Sequence, residues 1–188
     1  YAVTLRAYNE SNPAGVSAAL TIHVVAHPTH YVALCSTNPI APYLSWATAP
    51  TNIAEAVSVA APGALIVVSN GVYSPLVVRK PLTIQSLNGA DLTLINGQAL
   101  APCAILTNDA VLVGFTLTNG YAPYGGGGAQ GGTLTNCTLK GNSGGGANNS
   151  SLNNCTLSNN SGGGGSNSRL NNCTLSGNVG AGACSCML

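Results

Sequence analysis

Three cysteines that recur at a constant interval are the residues of this chain best suited to chemistry. Cys137, Cys155 and Cys173 are equally spaced, and each lies within the tetrapeptide Asn-Cys-Thr-Leu. Thiols in such a series could hold a metal ion, form disulfides or fill a core. A tetrahedral metal site needs ligands that converge on one point, whereas a regular repeat places its sulfur atoms in a line. Thiols in register on parallel strands come within disulfide range but do not point at each other, so the pattern favours buried packing.

The other cysteines and the histidines give no stronger signal. Seven cysteines are an odd number, so they cannot all pair within one chain. Cys184 and Cys186 replace serines of the preceding repeat, which makes them better candidates for disulfide bonding than the regular series. The histidines have no acid or cysteine pattern beside them, so we expect a solvated connector and neither a metal site nor a cofactor. The remaining cysteines are Cys35 and Cys103, and the histidines are His23, His27 and His30.

Charge is scarce throughout the chain of 188 residues. Only 5% of the residues are charged, and the formal net charge is +1. Such a surface has no field with which to hold phosphates, so nucleic acid and anionic membranes are poor candidate partners. No stretch approaches the roughly 20 apolar residues of a membrane-spanning helix. The glycine-rich run 125–132 lacks the Gly-Lys-Ser/Thr of a phosphate loop, so we interpret it as a corner or a thin wall of the fold.

The element that must position the cysteines is an 18-residue repeat in the last third of the chain. In Asn-Cys-Thr-Leu, the alternation turns Cys and Leu to one face and Thr to the other, as in a strand with a buried side. One repeat cannot bury a core alone, but stacked repeats form continuous columns, so the period predicts a β-solenoid. The predicted buried columns are Leu134, Leu152 and Leu170; Cys137, Cys155 and Cys173; and Leu139, Leu157 and Leu175.

Asparagines also recur in register, at positions that we assign to corners of the solenoid. Asparagine tolerates left-handed backbone geometry, and its amide can bond to the asparagine of the next rung. The two predicted amide columns are Asn136, Asn154 and Asn172; and Asn142, Asn160 and Asn178.

The remaining sequence supplies a cap and a separate hairpin. We expect the solenoid over 64–188, with looser rungs at its start, and a capping helix within 51–63 that begins at an N-cap Thr51 and stops at Pro62-Gly63. Residues 28–50 are interpreted as a linker. Two strands within 1–27, joined by a turn region from Asn9 to Gly15, are marginal alone. We therefore expect the final hairpin of an incomplete sandwich domain, and a solenoid that continues beyond Leu188 or is covered there by another subunit.

Taken together, these patterns resemble bacterial right-handed parallel β-helix repeat proteins of the pectate-lyase-like superfamily. The resemblance rests on Cys-Thr-Leu-x-x-Asn followed by glycines, on the strand Ala-Leu-Ile-Val-Val-Ser-Asn-Gly-Val-Tyr and on the run from Pro81 to Ser86. It covers 31–188. A more distant likeness is to polymorphic outer-membrane-protein repeats, carried by Leu157-Ser-Asn-Asn160 and Gly145-Gly-Ala147. The N-terminal hairpin is similar to the end of an immunoglobulin-like or polycystic-kidney-type domain.

The resemblance to lyases implies clustered acidic calcium ligands and a basic residue that accepts a proton. The solenoid offers only Asp91 and Asp109, with Arg79 and Lys80, and the two acids fall at different corners. We therefore expect no catalysis and no catalytic residues, since a fold does not fix a function. The leading hypothesis is a non-catalytic extracellular structural protein.

That structural protein would be a rigid element of a cell-surface rod or a self-assembling fibre, secreted or on the cell surface. Its partners would be copies of itself or neighbouring subunits. A carbohydrate-binding or adhesive module is the alternative, although the repeats lack aromatic platforms for sugars. The third hypothesis is a polysaccharide lyase whose site lies outside these residues.

Overall fold

Three parallel sheets form the body of the molecule. The structure, a computed structural model, describes residues 2–21, 27–107 and 109–187. Within this part of the chain, sheets of seven, six and six strands wind into a parallel β-solenoid. A separate two-stranded sheet lies near the N-terminus. The prediction of an all-β solenoid is confirmed.

Each turn of the solenoid contributes one strand to each sheet. The first sheet contains β3 (His30–Val32), β4 (Leu65–Val68), β7 (Thr83–Ser86), β10 (Val111–Val113), β13 (Thr133–Thr135), β16 (Ser151–Asn153) and β19 (Arg169–Asn171). The second contains β5 (Gly71–Tyr73), β8 (Thr93–Asn96), β11 (Thr116–Thr118), β14 (Thr138–Lys140), β17 (Thr156–Ser158) and β20 (Thr174–Ser176). The third contains β6 (Leu76–Val78), β9 (Ala104–Leu106), β12 (Ala129–Gln130), β15 (Ala147–Asn148), β18 (Gly165–Ser166) and β21 (Ala183–Cys184).

The rungs become regular only in the second half. Thr133 pairs with Ser151, and Ser151 with Arg169, so both steps equal one sequence repeat. Earlier, Thr83 pairs with Val111, and Val111 with Thr133, and both of these steps are longer than the repeat. The strands keep a similar length while the corners grow, so the first-sheet register survives the insertions.

The core is a set of stacked apolar columns. The column of Leu134 continues downward through Leu112, Ile84 and Ile66, all of which are 1% exposed or less. Phe115 is fully buried and precedes β11 just as Cys137 precedes β14, so an aromatic ring fills the position of a thiol one rung earlier. At this position the earlier rung therefore takes a larger side chain than the regular rungs do.

The helix α1 (Ile53–Val59) packs against β3, β4 and β6 at the start of the solenoid. It buries Ile53, Ala56 and Val57. The expected N-cap, Thr51, is wrong: the cap is Asn52, whose side chain accepts a hydrogen bond from the backbone N–H of Glu55 at 2.9 Å. Both residue types can cap, and Asn52 is the one that directly precedes the first helical residue, Ile53.

The segment 28–50 is not merely a linker. Its strand β3 pairs in parallel with β4, so the first sheet begins at His30 rather than near residue 64. His30 is 2% exposed, and its Nδ1 lies 2.6 Å from the carbonyl oxygen of Pro42, which corrects the expectation of a solvated histidine. A 3-10 helix (Trp46–Thr48) follows, and the Trp46 ring packs on Tyr31 at 4.7 Å between centroids. Of the other histidines, His27 is exposed and His23 lies outside the described residues.

The N-terminal hairpin consists of β1 (Ala2–Asn9) and β2 (Asn12–Thr21), paired antiparallel. The turn is much shorter than expected, because Asn9 pairs directly with Asn12. Pro13 is tolerated inside β2 since a two-stranded ribbon leaves outward backbone positions without partners. That this hairpin ends a sandwich domain stays a prediction. The expected continuation or covering at Leu188 also stays one, because Leu188 lies outside the described residues.

Candidate functional site

The acidic and basic side chains are dispersed in the described part of the chain. Asp91 lies in the turn before β8, and Asp109 in the turn before β10, at different corners of the solenoid. Among residues 2–21, 27–107 and 109–187, no three His, Cys, Asp or Glu side chains gather around one point, and no pocket opens. The thiol and amide side chains that the fold does bring together lie in columns that repeat from rung to rung.

The leucines predicted to face inward do so. They occupy the central positions of the first-sheet and second-sheet strands, in direct register from rung to rung. Leu134, Leu139, Leu152 and Leu157 are fully buried and Leu170 is 4% exposed, while Leu175 is partly buried.

The thiol column, which we define as Cys137, Cys155 and Cys173, lies at the corner between the first and second sheets. Cys137 and Cys155 are each 2% exposed, and Cys173 is partly buried. Each Sγ donates to the carbonyl oxygen two residues earlier, at 3.3, 3.3 and 3.4 Å in chain order. Each also lies 3.5 Å from a leucine carbonyl oxygen of the rung below. The three thiols therefore repeat one geometry, and all three are free.

Two of these thiols are weaker acids than an ordinary cysteine, with a raised pKa. Contact with the Cys137 thiol and burial both raise the pKa of Cys155. Burial also raises the pKa of Cys173. Neutral thiols at Cys155 and Cys173 are consistent with the apolar columns on both sides of them.

The inner amide column, defined as Asn142, Asn160 and Asn178, is a continuous hydrogen-bonded chain. Asn142 donates from its backbone N–H and from Nδ2 to Oδ1 of Asn160, both at 3.0 Å. Asn160 donates in the same way to Asn178, at 3.0 and 2.9 Å. Each Nδ2 also donates to a leucine carbonyl oxygen, at 3.1, 3.0 and 2.8 Å. Asn142 and Asn160 are 1% exposed or less, so every buried amide atom is paired.

The outer amide column, defined as Asn136, Asn154 and Asn172, lies on the surface. All three residues are exposed and adopt left-handed backbone geometry, with φ of 53°, 54° and 50°. One side-chain bond joins Asn172 to Asn154 at 2.7 Å. Their common role is the corner geometry that asparagine tolerates.

A serine column was missed by sequence reasoning. Ser150 and Ser168 are buried, and each hydroxyl donates to a backbone carbonyl two residues earlier. Cys186 takes the same place one rung later and donates to the carbonyl oxygen of Cys184 at 3.4 Å. The regular register of these small residues from repeat to repeat was the available signal.

The remaining cysteines do not gather. Cys35 and Cys184 are exposed, Cys186 is partly buried, and Cys103 is buried against Asn142 and the carbonyl oxygen of Thr118. Burial raises the pKa of Cys103 to about 11. Cys184 and Cys186, the better candidates for disulfide bonding in the sequence, are both free.

Aromatic residues on the third-sheet side were also missed. Tyr124 is 92% exposed and Tyr121 is 42% exposed, in the long corner before β12. A Cβ on the adjacent Gly125 would lie 3.0 Å from Nδ2 of Asn148, so this corner runs beside an outward amide. Asn148 is in register with Gln130. The patch therefore combines two exposed rings with outward amide groups.

Comparison with known proteins gives one solved structure and no sequence relative. No protein-family model matches the chain, and no curated protein matches it. The chain is similar to the crystal structure of a pectin methylesterase mutant in complex with a hexasaccharide, with 16% identity and a TM-score of 0.48. The match covers 66% of this chain, which spans half the length of that one. No helix of the described residues is long and apolar enough to cross a membrane.

One expectation is corrected by this comparison. The sequence analysis concluded that the chain is not an enzyme, and that is wrong because the β-helix to which it is similar belongs to an enzyme. At this identity the likeness shows the fold alone. What the chain has in common with that structure is a right-handed parallel β-helix.

Proposed function

We propose that this chain is a rigid β-helical element of a secreted or cell-surface rod or fibre. The observation that supports the proposal is the unbroken register of all three sheets from rung to rung. Parallel pairing continues in the second sheet from Gly71 to Ser176 and in the third from Leu76 to Cys184. A column of paired strands resists bending because any bend must break hydrogen bonds in several rungs.

The interior supports the same role. Buried leucines and a fully paired amide column fill the rungs from 133 onward, so each repeat adds the same stabilising contacts as its neighbour. Repeat proteins of this kind gain stability and length together. The low charge of the chain does not oppose contact between copies, which supports self-association or neighbouring subunits as partners.

Insertion of extra rungs tests the rod. Four added copies of residues 152–169 should lengthen the particle by about 19 Å, at about 4.8 Å per rung. Small-angle X-ray scattering measures the maximum dimension, and circular dichroism the melting temperature, which should not fall. The control carries four scrambled copies of the same composition. An insertion protein that grows no longer, or that behaves like the scrambled control, contradicts a modular rod.

Location and assembly need the native material. Gold-labelled antibodies against the solenoid should decorate the cell surface or isolated appendages in electron micrographs. Label confined to the cell interior would overturn the extracellular proposal.

Sugar binding is a second candidate, favoured by the patch around Tyr124. Exposed aromatic rings stack on the apolar faces of sugars, and amides such as Asn148 donate and accept hydrogen bonds with hydroxyls. A glycan array probed with the intact chain should give a signal that Tyr124→Ala removes. The control is Tyr8→Ala, because Tyr8 is also exposed, at 63%, but lies on the hairpin. Equal signals from both variants would refute this function.

A further inference from the structure

The thiol column has a geometry that suits a metal ion of a particular kind. Its three sulfur atoms make the same two contacts in successive rungs, so neighbouring sulfurs are separated by one rung, about 4.8 Å. A disulfide needs its sulfurs about 2.0 Å apart, which this repeat does not offer. Tetrahedral zinc needs four ligands around one point. Neither common use of paired thiols fits a straight column.

Two-coordinate binding does fit. A zinc–thiolate bond is about 2.3 Å long, and at that bond length a sulfur–metal–sulfur unit in a line spans about 4.6 Å, close to the rung spacing. Soft thiolate ligands select soft monovalent ions such as Cu(I). We propose that the thiol column binds one soft monovalent metal ion, held in a line between the sulfurs of two neighbouring rungs. The two alternative positions are Cys137 with Cys155 and Cys155 with Cys173, because the single sulfur of Cys155 does not bind two ions on opposite sides in a straight line.

The surroundings determine the charge of the bound state. Cys137 and Cys155 are buried among apolar columns, where an uncompensated charge is costly. The bound monovalent ion therefore displaces one thiol proton to solvent, so the column stays neutral and no electron is transferred. Cys173 is only partly buried and provides the entrance.

The middle cysteine is essential to both positions. With Cys155 removed, the two remaining sulfurs are two rungs apart, about 9.6 Å, which one ion cannot span. Cys103 supplies a matched control, since it is also a buried free thiol but lies outside the column.

Silver(I) is the probe, added to a parent protein in which Cys35, Cys184 and Cys186 are replaced by serine. Cys186→Ser restores the residue type of the two preceding rungs. Equilibrium dialysis should give one silver ion per chain, with one proton released. Cys155→Ser should lose the ion, whereas Cys103→Ser should keep it. X-ray absorption of the loaded parent should show two sulfurs on each silver.

Three results would overturn the proposal: the ion retained by Cys155→Ser, loss of the ion in Cys103→Ser, or three or more sulfurs around silver. Circular dichroism confirms that each variant folds. Cys155→Val, which fills the same apolar space, replaces the serine variant if that one unfolds, and the sulfur count in the parent needs no variant. Zinc at the same concentration should not bind to the column, and zinc binding that Cys155→Ser abolishes would also refute linear coordination.

Discussion

Replacement of Asn160 by aspartate tests the inner amide column most sharply. Asn160 is fully buried, and its Oδ1 accepts two hydrogen bonds from Asn142 while its Nδ2 donates to the carbonyl oxygen of Leu139 and to Oδ1 of Asn178. A carboxylate keeps the accepting side but turns an oxygen toward two other acceptors. The substitution therefore removes two buried donor contacts and adds a buried charge.

The expected penalty follows from those contacts. Two lost hydrogen bonds cost about 1 kcal/mol each, and burial of the charged form raises the pKa of the new carboxyl by about 2 units above its usual 3.9, or roughly 3 kcal/mol at neutral pH. Because the folded pKa lies above the unfolded one, the added penalty is absent below about pH 4 and complete only above about pH 6. We expect Asn160→Asp to lose about 3–5 kcal/mol at pH 7 and to recover most of it in acid.

Urea unfolding followed by circular dichroism between pH 4 and pH 8 measures this. The control is Asn154→Asp, since Asn154 is exposed at a corner and its Oδ1 only accepts a bond, from Asn172. That variant should stay within about 0.5 kcal/mol of the original protein at every pH. Equal stabilities of the two variants at pH 7, or an Asn160→Asp protein that is most stable at alkaline pH, would refute the inner assignment.

Three further predictions concern packing, backbone and reactivity. Leu157→Ala should lower the unfolding free energy by about 2–5 kcal/mol, because it leaves a cavity at a fully buried site. The control is Leu87→Ala at a half-exposed site, which should lower the unfolding free energy by less than about 1 kcal/mol in the same urea titrations. Gly144→Ala should destabilise by more than about 1 kcal/mol, since φ is +88° and the new Cβ would meet the carbonyl oxygen of Ala122; an unchanged melting temperature would contradict that contact. Cys103 should resist iodoacetamide at pH 8 in the folded protein, because its pKa is raised to about 11, whereas the exposed Cys35 should react. Peptide mass spectrometry compares the labelling of the two cysteines, and equal labelling would show that Cys103 is not buried.

The regular rungs were predictable because local pattern and global fold agree in them. The constant period determines which leucines and cysteines face inward, and it identifies both asparagine series. It could not decide which series is buried, since Asn142 and Asn136 are the same residue type and differ only in whether the corner turns inward or outward. Hydrogen bonding decided it: Asn142 finds buried backbone partners and Asn136 does not.

The first rungs were harder to predict because their signals are short. β3 has three residues and pairs with β4 across a long excursion through α1, so no period links them. The patch at Tyr124 was missed for a related reason: it lies in a corner insertion that occurs once. Repetition identifies what the rungs share, whereas candidate binding groups lie where they differ.

The similar sequences of the last rungs have a consequence for folding. Residues 134–151 and 152–169 are nearly interchangeable, so a chain shifted by one whole repeat would bury an almost identical set of side chains. Such a slipped state costs little in the repeats themselves and must be excluded elsewhere. The long step between β7 and β10 has no second copy to which a strand could shift. We therefore expect the irregular rungs to form first and to fix the strand register, after which the regular rungs add one after another in chain order.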